Sequence, residues 1–153
     1  MQTNEQLLDL LENYLAQREL PTEPERLYDP IRYSLAGGGK RLRPMLLMLS
    51  NGIFTDKIQH ALPAAAAVEV FHNFTLLHDD IMDNAAVRRG KPSVYARWGG
   101  NVAILSGDAM LISAYRLLVQ APPALLPRIL EVFNTMALIS KASRRFRSWS
   151  TCR

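Results

Sequence analysis

Three carboxylates fall within five residues at Asp79-Asp80-Ile81-Met82-Asp83. On a helix, Asp79 and Asp83 lie four apart and share a face, while Asp80 points to one side. Hard cations such as Mg²⁺ take carboxylate oxygens, and Mg²⁺ keeps several waters and fills its shell with substrate phosphates. Two carboxylates at this spacing beside a cavity therefore suit a diphosphate held through magnesium. Asp79 and Asp83 are the candidate metal ligands, with Asp80 in support. The bland reading is a solvated acidic face. The preceding residues weigh against it, because Phe71 to Leu77 is largely apolar and acid near a helix C-terminus opposes the helix dipole. A cation should offset that charge, and Arg88, Arg89 and Lys91 follow within a few residues.

His72 lies seven residues before Asp79 on the same face, roughly 10 Å along the helix axis. That is too far for a shared metal and suits a second anionic group. Taken alone, a histidine here reads rather as a satisfied core residue. His78 has a structural or hydrogen-bonding role at most. Gly37-Gly38-Gly39-Lys40-Arg41-Leu42-Arg43-Pro44 puts flexible backbone and three cations at the entry to a helix. Free N–H groups, the helix dipole and basic side chains all favour an anion there. The spacing is not that of a P-loop.

The elements that must position these groups read as helices. Apolar residues from Leu7 to Leu15 recur at helical spacing, with Thr3 or Asn4 as cap. A second helix is predicted over Glu25 to Leu35, and a third starts near Arg41 to Pro44 with its body at Met45 to Asn51. Thr55-Asp56 caps a short helix, and Pro63 opens a long one to about Asn84. A polar, basic connection covers Asn84 to Pro92, followed by a short helix over Ser93 to Trp98. Gly99-Gly100-Asn101 reads as a break before a long helix at Val102 to Ala121. Another helix begins at Leu125 and runs to Leu138. No run alternates with period two, so the expected fold is all-α, an antiparallel helix bundle.

Composition is that of an ordinary globular chain, 48% hydrophobic and 21% charged over 153 residues. The single cysteine, Cys152, excludes an internal disulfide framework. With no basic-apolar leader, the expectation is a cytoplasmic protein. The most apolar stretch, Val102 to Ala121, contains Asp108 and Arg116 and reads as core, so no membrane span is expected. The net charge of +4 is uneven: residues 1–138 carry 13 basic and 14 acidic residues, while residues 139–153 carry five basic residues and no acid. A nucleic-acid partner would rest on that tail alone and is not expected.

The motifs together resemble the trans-isoprenyl diphosphate synthases. Gly38-Gly39-Lys40-Arg41-Leu42-Arg43-Pro44 resembles their glycine-lysine-arginine-proline motif. Glu69-x-x-His72 with Leu77-His78-Asp79-Asp80-Ile81-Met82-Asp83 resembles their first aspartate-rich motif. Arg88-Arg89-Gly90-Lys91-Pro92-Ser93 resembles the paired-arginine loop, and Gly100-Asn101-x-x-x-Ile104-Leu105-x-Gly107-Asp108-Ala109 the helix after it. The resemblance implies an isoprenoid-synthase bundle around an apolar cavity. It implies Mg²⁺-dependent ionisation of an allylic diphosphate and its condensation with isopentenyl diphosphate. By motif position Asp79 and Asp83 would bind Mg²⁺, with Asp80 and Arg88 completing the catalytic group. Arg88 would contact the allylic diphosphate, and Lys40, Arg43, His72 and Arg89 the diphosphate of isopentenyl diphosphate. Phe74 and Thr75 would set product length, implying a farnesyl or geranylgeranyl product. A homodimer is implied for full-length members.

The chain also departs from that family. Complete members are roughly twice as long and carry a second aspartate-rich motif, whereas no aspartate follows Asp108 here. From Ile139 the sequence turns basic and the resemblance ends, so the expectation is residues 1–138 as the N-terminal part of a synthase domain and 139–153 as an out-of-frame tail. The competing readings are a prenyl diphosphate synthase and a truncated, non-catalytic fragment or subunit that at most binds diphosphate. A terpene cyclase would also use Asp-Asp-x-x-Asp, but without need of Lys40, Arg43 and Arg89.

Overall fold

In the computed structural model, seven α-helices account for nearly all regular structure among the described residues. The structure describes residues 3–18 and 20–149, with side chains as far as Ser140. The helices are α1 (Asn4–Ala16), α2 (Glu25–Ala36), α3 (Leu42–Phe54), α4 (Leu62–Met82), α5 (Val94–Trp98), α6 (Gly100–Leu118) and α7 (Leu126–Trp149). A 3₁₀ turn, Ile58–His60, leads into α4. No described helix is long and apolar enough to cross a membrane.

Thr3 caps α1 in a reciprocal capping box with Gln6, which satisfies orphan donors at both residues. Pro63 sits in the first turn of α4, where its missing N–H costs nothing. Among the described residues, the α4–α6 pair is the most extensive contact between helices. Small residues make that closeness possible: Ala65, Ala66, Ala67, Ala103, Ser106 and Ala114 are fully buried. At Gly107 a β-carbon would lie 2.5 Å from His78 Nε2, so the absent side chain leaves room for the imidazole. An aromatic chain runs from α4 through α7 to α6: Phe74 packs tilted on Phe71, and Phe71 and Tyr115 each meet Phe133 edge to face.

Besides the end of α7, which lies at Trp149 rather than Leu138, two sequence expectations change. The basic connection after α4 contains a miniature hairpin, β1 (Val87–Arg88) against β2 (Lys91–Pro92), antiparallel with Arg88 opposite Lys91. Its two-residue loop, Arg89-Gly90, has φ of 53° and 76°, the double positive φ of a type I′ turn, which matches strand twist. Strands of two residues leave no alternation to detect. The other change is at Gly100 and Asn101, which belong to α6; the chain breaks only at Gly99, where φ is 84°. In the basic tail, the side chains from Lys141 onward lie outside the described residues, and so does any reading of that tail as out of frame.

Candidate diphosphate-binding site

α4 carries two adjacent stripes of polar residues. The buried stripe is Glu69, Asn73 and Asp80, all at or below 3% exposure. Beside it runs a more accessible stripe of His72, Asp79 and Asp83, with Asp83 exposed at the helix C-cap. Buried carboxylates are stable only when paired, and each finds an arginine. Asp80 Oδ1 accepts from Arg88 Nη2 at 2.5 Å and Nε at 3.0 Å. Glu69 Oε1 accepts from Arg41 Nη1 at 2.6 Å and Asn73 Nδ2 at 2.9 Å. The Arg88–Asp80 pair supplies the offsetting cation expected from the charge at this helix end. Its hydrogen bond to Asp80 raises the Arg88 pKa, partial burial opposes this, and Asp79 and Asp83 add to the rise.

The accessible stripe meets the glycine-basic segment. Arg43 Nη1 lies 3.2 Å from His72 Nε2, so residues 29 positions apart converge. The Arg89 guanidinium lies against the glycine loop: a β-carbon on Gly39 would come within 2.9 Å of Arg89 Nη1. Gly39 has φ of 144°, a backbone state side chains rarely adopt. Lys40 is exposed on the same segment. Arg43, His72 and Arg89 are therefore gathered around the entry to α3. Asp79 and Asp83 lie along α4 from that corner, towards its C-terminus.

Phe74 is 2% exposed and turned to α6, its ring 4.6 Å from that of His78. Thr75 is buried, its hydroxyl donating to the His72 carbonyl at 2.6 Å. A cavity of about 40 Å³ lies between α2, α4 and the hairpin, reached by Ser34, Asn73, Asp80, Arg88 and Arg89. That volume admits water rather than a diphosphate. A larger cleft of about 410 Å³ opens between α1, α3 and the 3₁₀ turn, and no candidate residue lines it.

Whether this chemistry suits Mg²⁺ follows from its donors. Among the described residues no three His, Cys, Asp or Glu side chains group closely enough to cage a metal. Asp79 and Asp83 are hard oxygen donors one turn apart. They fit the mode in which Mg²⁺ takes one or two carboxylates and leaves the remaining positions to water and substrate phosphate.

Sequence reasoning counted Arg41 among three cations favouring an anion and did not foresee its burial. It is 6% exposed and donates to Glu12, Glu69 and the Leu35 carbonyl. Burial works to lower its pKa, but hydrogen bonds to Glu12 and Glu69 outweigh that and the net shift is upward. It is thus a buried structural cation, not one of three anion ligands. The available signal was Glu69: an acid in the middle of an apolar helix demands a partner.

Comparisons with known proteins show which family the chain belongs to. The polyprenyl synthetase family model matches residues 24–142. A geranylgeranyl diphosphate synthase of Methanosarcina mazei is 44% identical over 115 residues, 74% of this chain and 36% of that one. One of Sulfolobus acidocaldarius is 37% identical over 135 residues, 86% of this chain and 39% of that one. A crystal structure of a geranylgeranyl pyrophosphate synthase superposes with a TM-score of 0.92 at 44% identity, over 99% of this chain and 46% of that one. The corresponding synthetase of Geoglobus acetivorans gives 0.81 at 34% identity, over 97% and 48%. The chain spans less than half the length of these relatives. Matched over most of its length by the family model and by relatives of this identity, the chain belongs to the polyprenyl synthetase family.

Proposed function

We propose that this chain carries the first half of a prenyltransferase that joins isopentenyl diphosphate to an allylic diphosphate. The product would be a short-chain prenyl diphosphate, farnesyl or geranylgeranyl, and the names of the relatives favour the latter. One observation carries the reading: Arg43, His72 and Arg89 converge at one corner while Asp79 and Asp83 continue along the same face of α4. Two anionic groups can thus be held side by side, as a condensation of two diphosphate esters requires.

In that reaction the allylic C–O bond breaks, a C–C bond forms to the isopentenyl double bond, and a proton is lost. Lys40, Arg43, His72 and Arg89 hold the isopentenyl diphosphate. Arg88, anchored by Asp80, contacts the allylic diphosphate. Asp79 and Asp83 would hold Mg²⁺, which when bound would offset the charge developing on the departing diphosphate. Thr75 and Phe74, buried one turn before the aspartates, would limit chain growth. A cytoplasmic location and a homodimer of full-length chains belong to the same reading.

A second reading has its own support: the chain spans 46% of one solved structural relative, and no aspartate follows Asp108 in its sequence. It is a non-catalytic fragment or subunit that binds diphosphate. Incubation with Mg²⁺, isopentenyl diphosphate and geranyl diphosphate separates the two. Prenyl product that disappears with EDTA and in Asp79→Asn supports the enzyme. Diphosphate binding without product supports the fragment, and neither result would defeat both.

A further inference from the structure

The buried Arg41 does something the diphosphate-binding reading leaves unexplained. It is the N-cap of α3 in the left-handed region, φ 44° and ψ 31°, with no side-chain cap hydrogen bond. A bulky residue holds that conformation only where its surroundings over-determine it. Here three elements do. Nε donates to Glu12 of α1 at 2.9 Å, Nη1 to Glu69 of α4 at 2.6 Å, and Nη2 to the Leu35 carbonyl of α2 at 2.9 Å. The last bond satisfies a carbonyl at the end of α2 and ties off the glycine loop between the two helices.

Arg41 and Arg43 are two residues apart, and their partners Glu69 and His72 are three apart on α4, close to one turn. The two contacts form successive rungs between α3 and α4. The first rung is buried and the second is open to solvent. Asn73 fixes the acceptor of the first rung, donating to Glu69 Oε1 and accepting from Ser34 of α2.

We propose that Arg41 is the positioning residue of the anion-binding corner: it sets the height of α3 along α4 so that Arg43 meets His72. The inference rests on that corner being the diphosphate site, but its central claim concerns Arg43 and His72 and can be read without ligand. Lysine at this position keeps the charge and loses the three-way fork.

The test uses the full chain with ¹⁵N-labelled histidine, comparing wild type, Arg41→Lys, Arg43→Ala and the double variant. The His72 Nε2 resonance should move in Arg41→Lys towards its position in Arg43→Ala. Affinity for inorganic diphosphate should fall about tenfold in either single variant, the loss expected of one charge-assisted contact. The double variant should be no weaker than Arg43→Ala alone, because one change acts through the other. An unmoved His72 resonance in Arg41→Lys, or two fully multiplicative losses, would overturn the proposal. If Arg41→Lys does not fold, Glu12→Gln loosens the same fork from its exposed side; a shifted resonance supports the proposal and an unchanged one overturns it. Wild type that binds no diphosphate would sink the anion-site reading, while the imidazole signal still decides the role of Arg41.

Discussion

At the residue scale, charge around the aspartates is arranged asymmetrically. Asp80 is buried and neutralised by Arg88, whereas Asp79 and Asp83 lie on the outer stripe. A buried carboxylate stripped of its partner is costly, so Arg88→Ala should lower unfolding free energy by about 2 kcal/mol, less than for a fully buried pair because Arg88 is partly exposed. The folded pKa of Arg88 lies above its ordinary value. The stabilisation is then complete below that ordinary value and is lost only as pH rises through the folded one. Urea unfolding of wild type and Arg88→Ala should therefore give the same difference at about pH 6 and about pH 9, both far below arginine titration. A difference that shrank by half between them would point to another group as Asp80's partner.

At the element scale, α4 works because α6 can approach it closely. Gly107 costs helix propensity and is kept for space: its missing β-carbon accommodates the His78 ring. Gly107→Ala should be destabilising by about 1 kcal/mol despite the better propensity of alanine. In a His78→Ala background the same change should be stabilising by about 1 kcal/mol, since the clash is gone and only the propensity gain remains. Thermal unfolding of the four proteins measures this reversal of sign. Helix existence was legible in the chain, because apolar spacing, Pro63 and Thr3 are local signals. The hairpin was not, since its pairing depends on Arg89 and Gly90 both adopting positive φ and on the Tyr33 hydroxyl donating to the Pro92 carbonyl at 2.8 Å, a contact 59 residues away in sequence.

At the scale of the whole molecule, apolar surface is left uncovered on α3 and α6. Leu46 is 63% exposed, Phe54 87% and Ile112 61%. Leu105 and Ile112, seven residues apart, share one face of α6. Exposed apolar faces of this kind drive association in water. Sedimentation of the purified chain should show dimers or larger species at concentrations of about 10 μM and above. Leu46→Lys combined with Ile112→Lys should shift the distribution towards monomer with little loss of stability, because both positions are already exposed. A monodisperse monomer in wild type would contradict the expectation.

The sequence alone determined the helical class, the order of the motifs, the face shared by His72, Asp79 and Asp83, and the family resemblance. These depend on residue type and on spacing within one helix, where a period of 3.6 converts sequence distance into geometry. Only the tertiary structure decided which cations are structural and which are open to a ligand. Arg41 and Arg43 are two positions apart with similar chemistry, yet one is sealed between Glu12 and Glu69 and the other faces His72. Nothing in their local sequence separates them. Burial and pairing are set by partners on α1 and α4, 28 or 29 residues away, and a pattern read along one strand of text does not contain those distances.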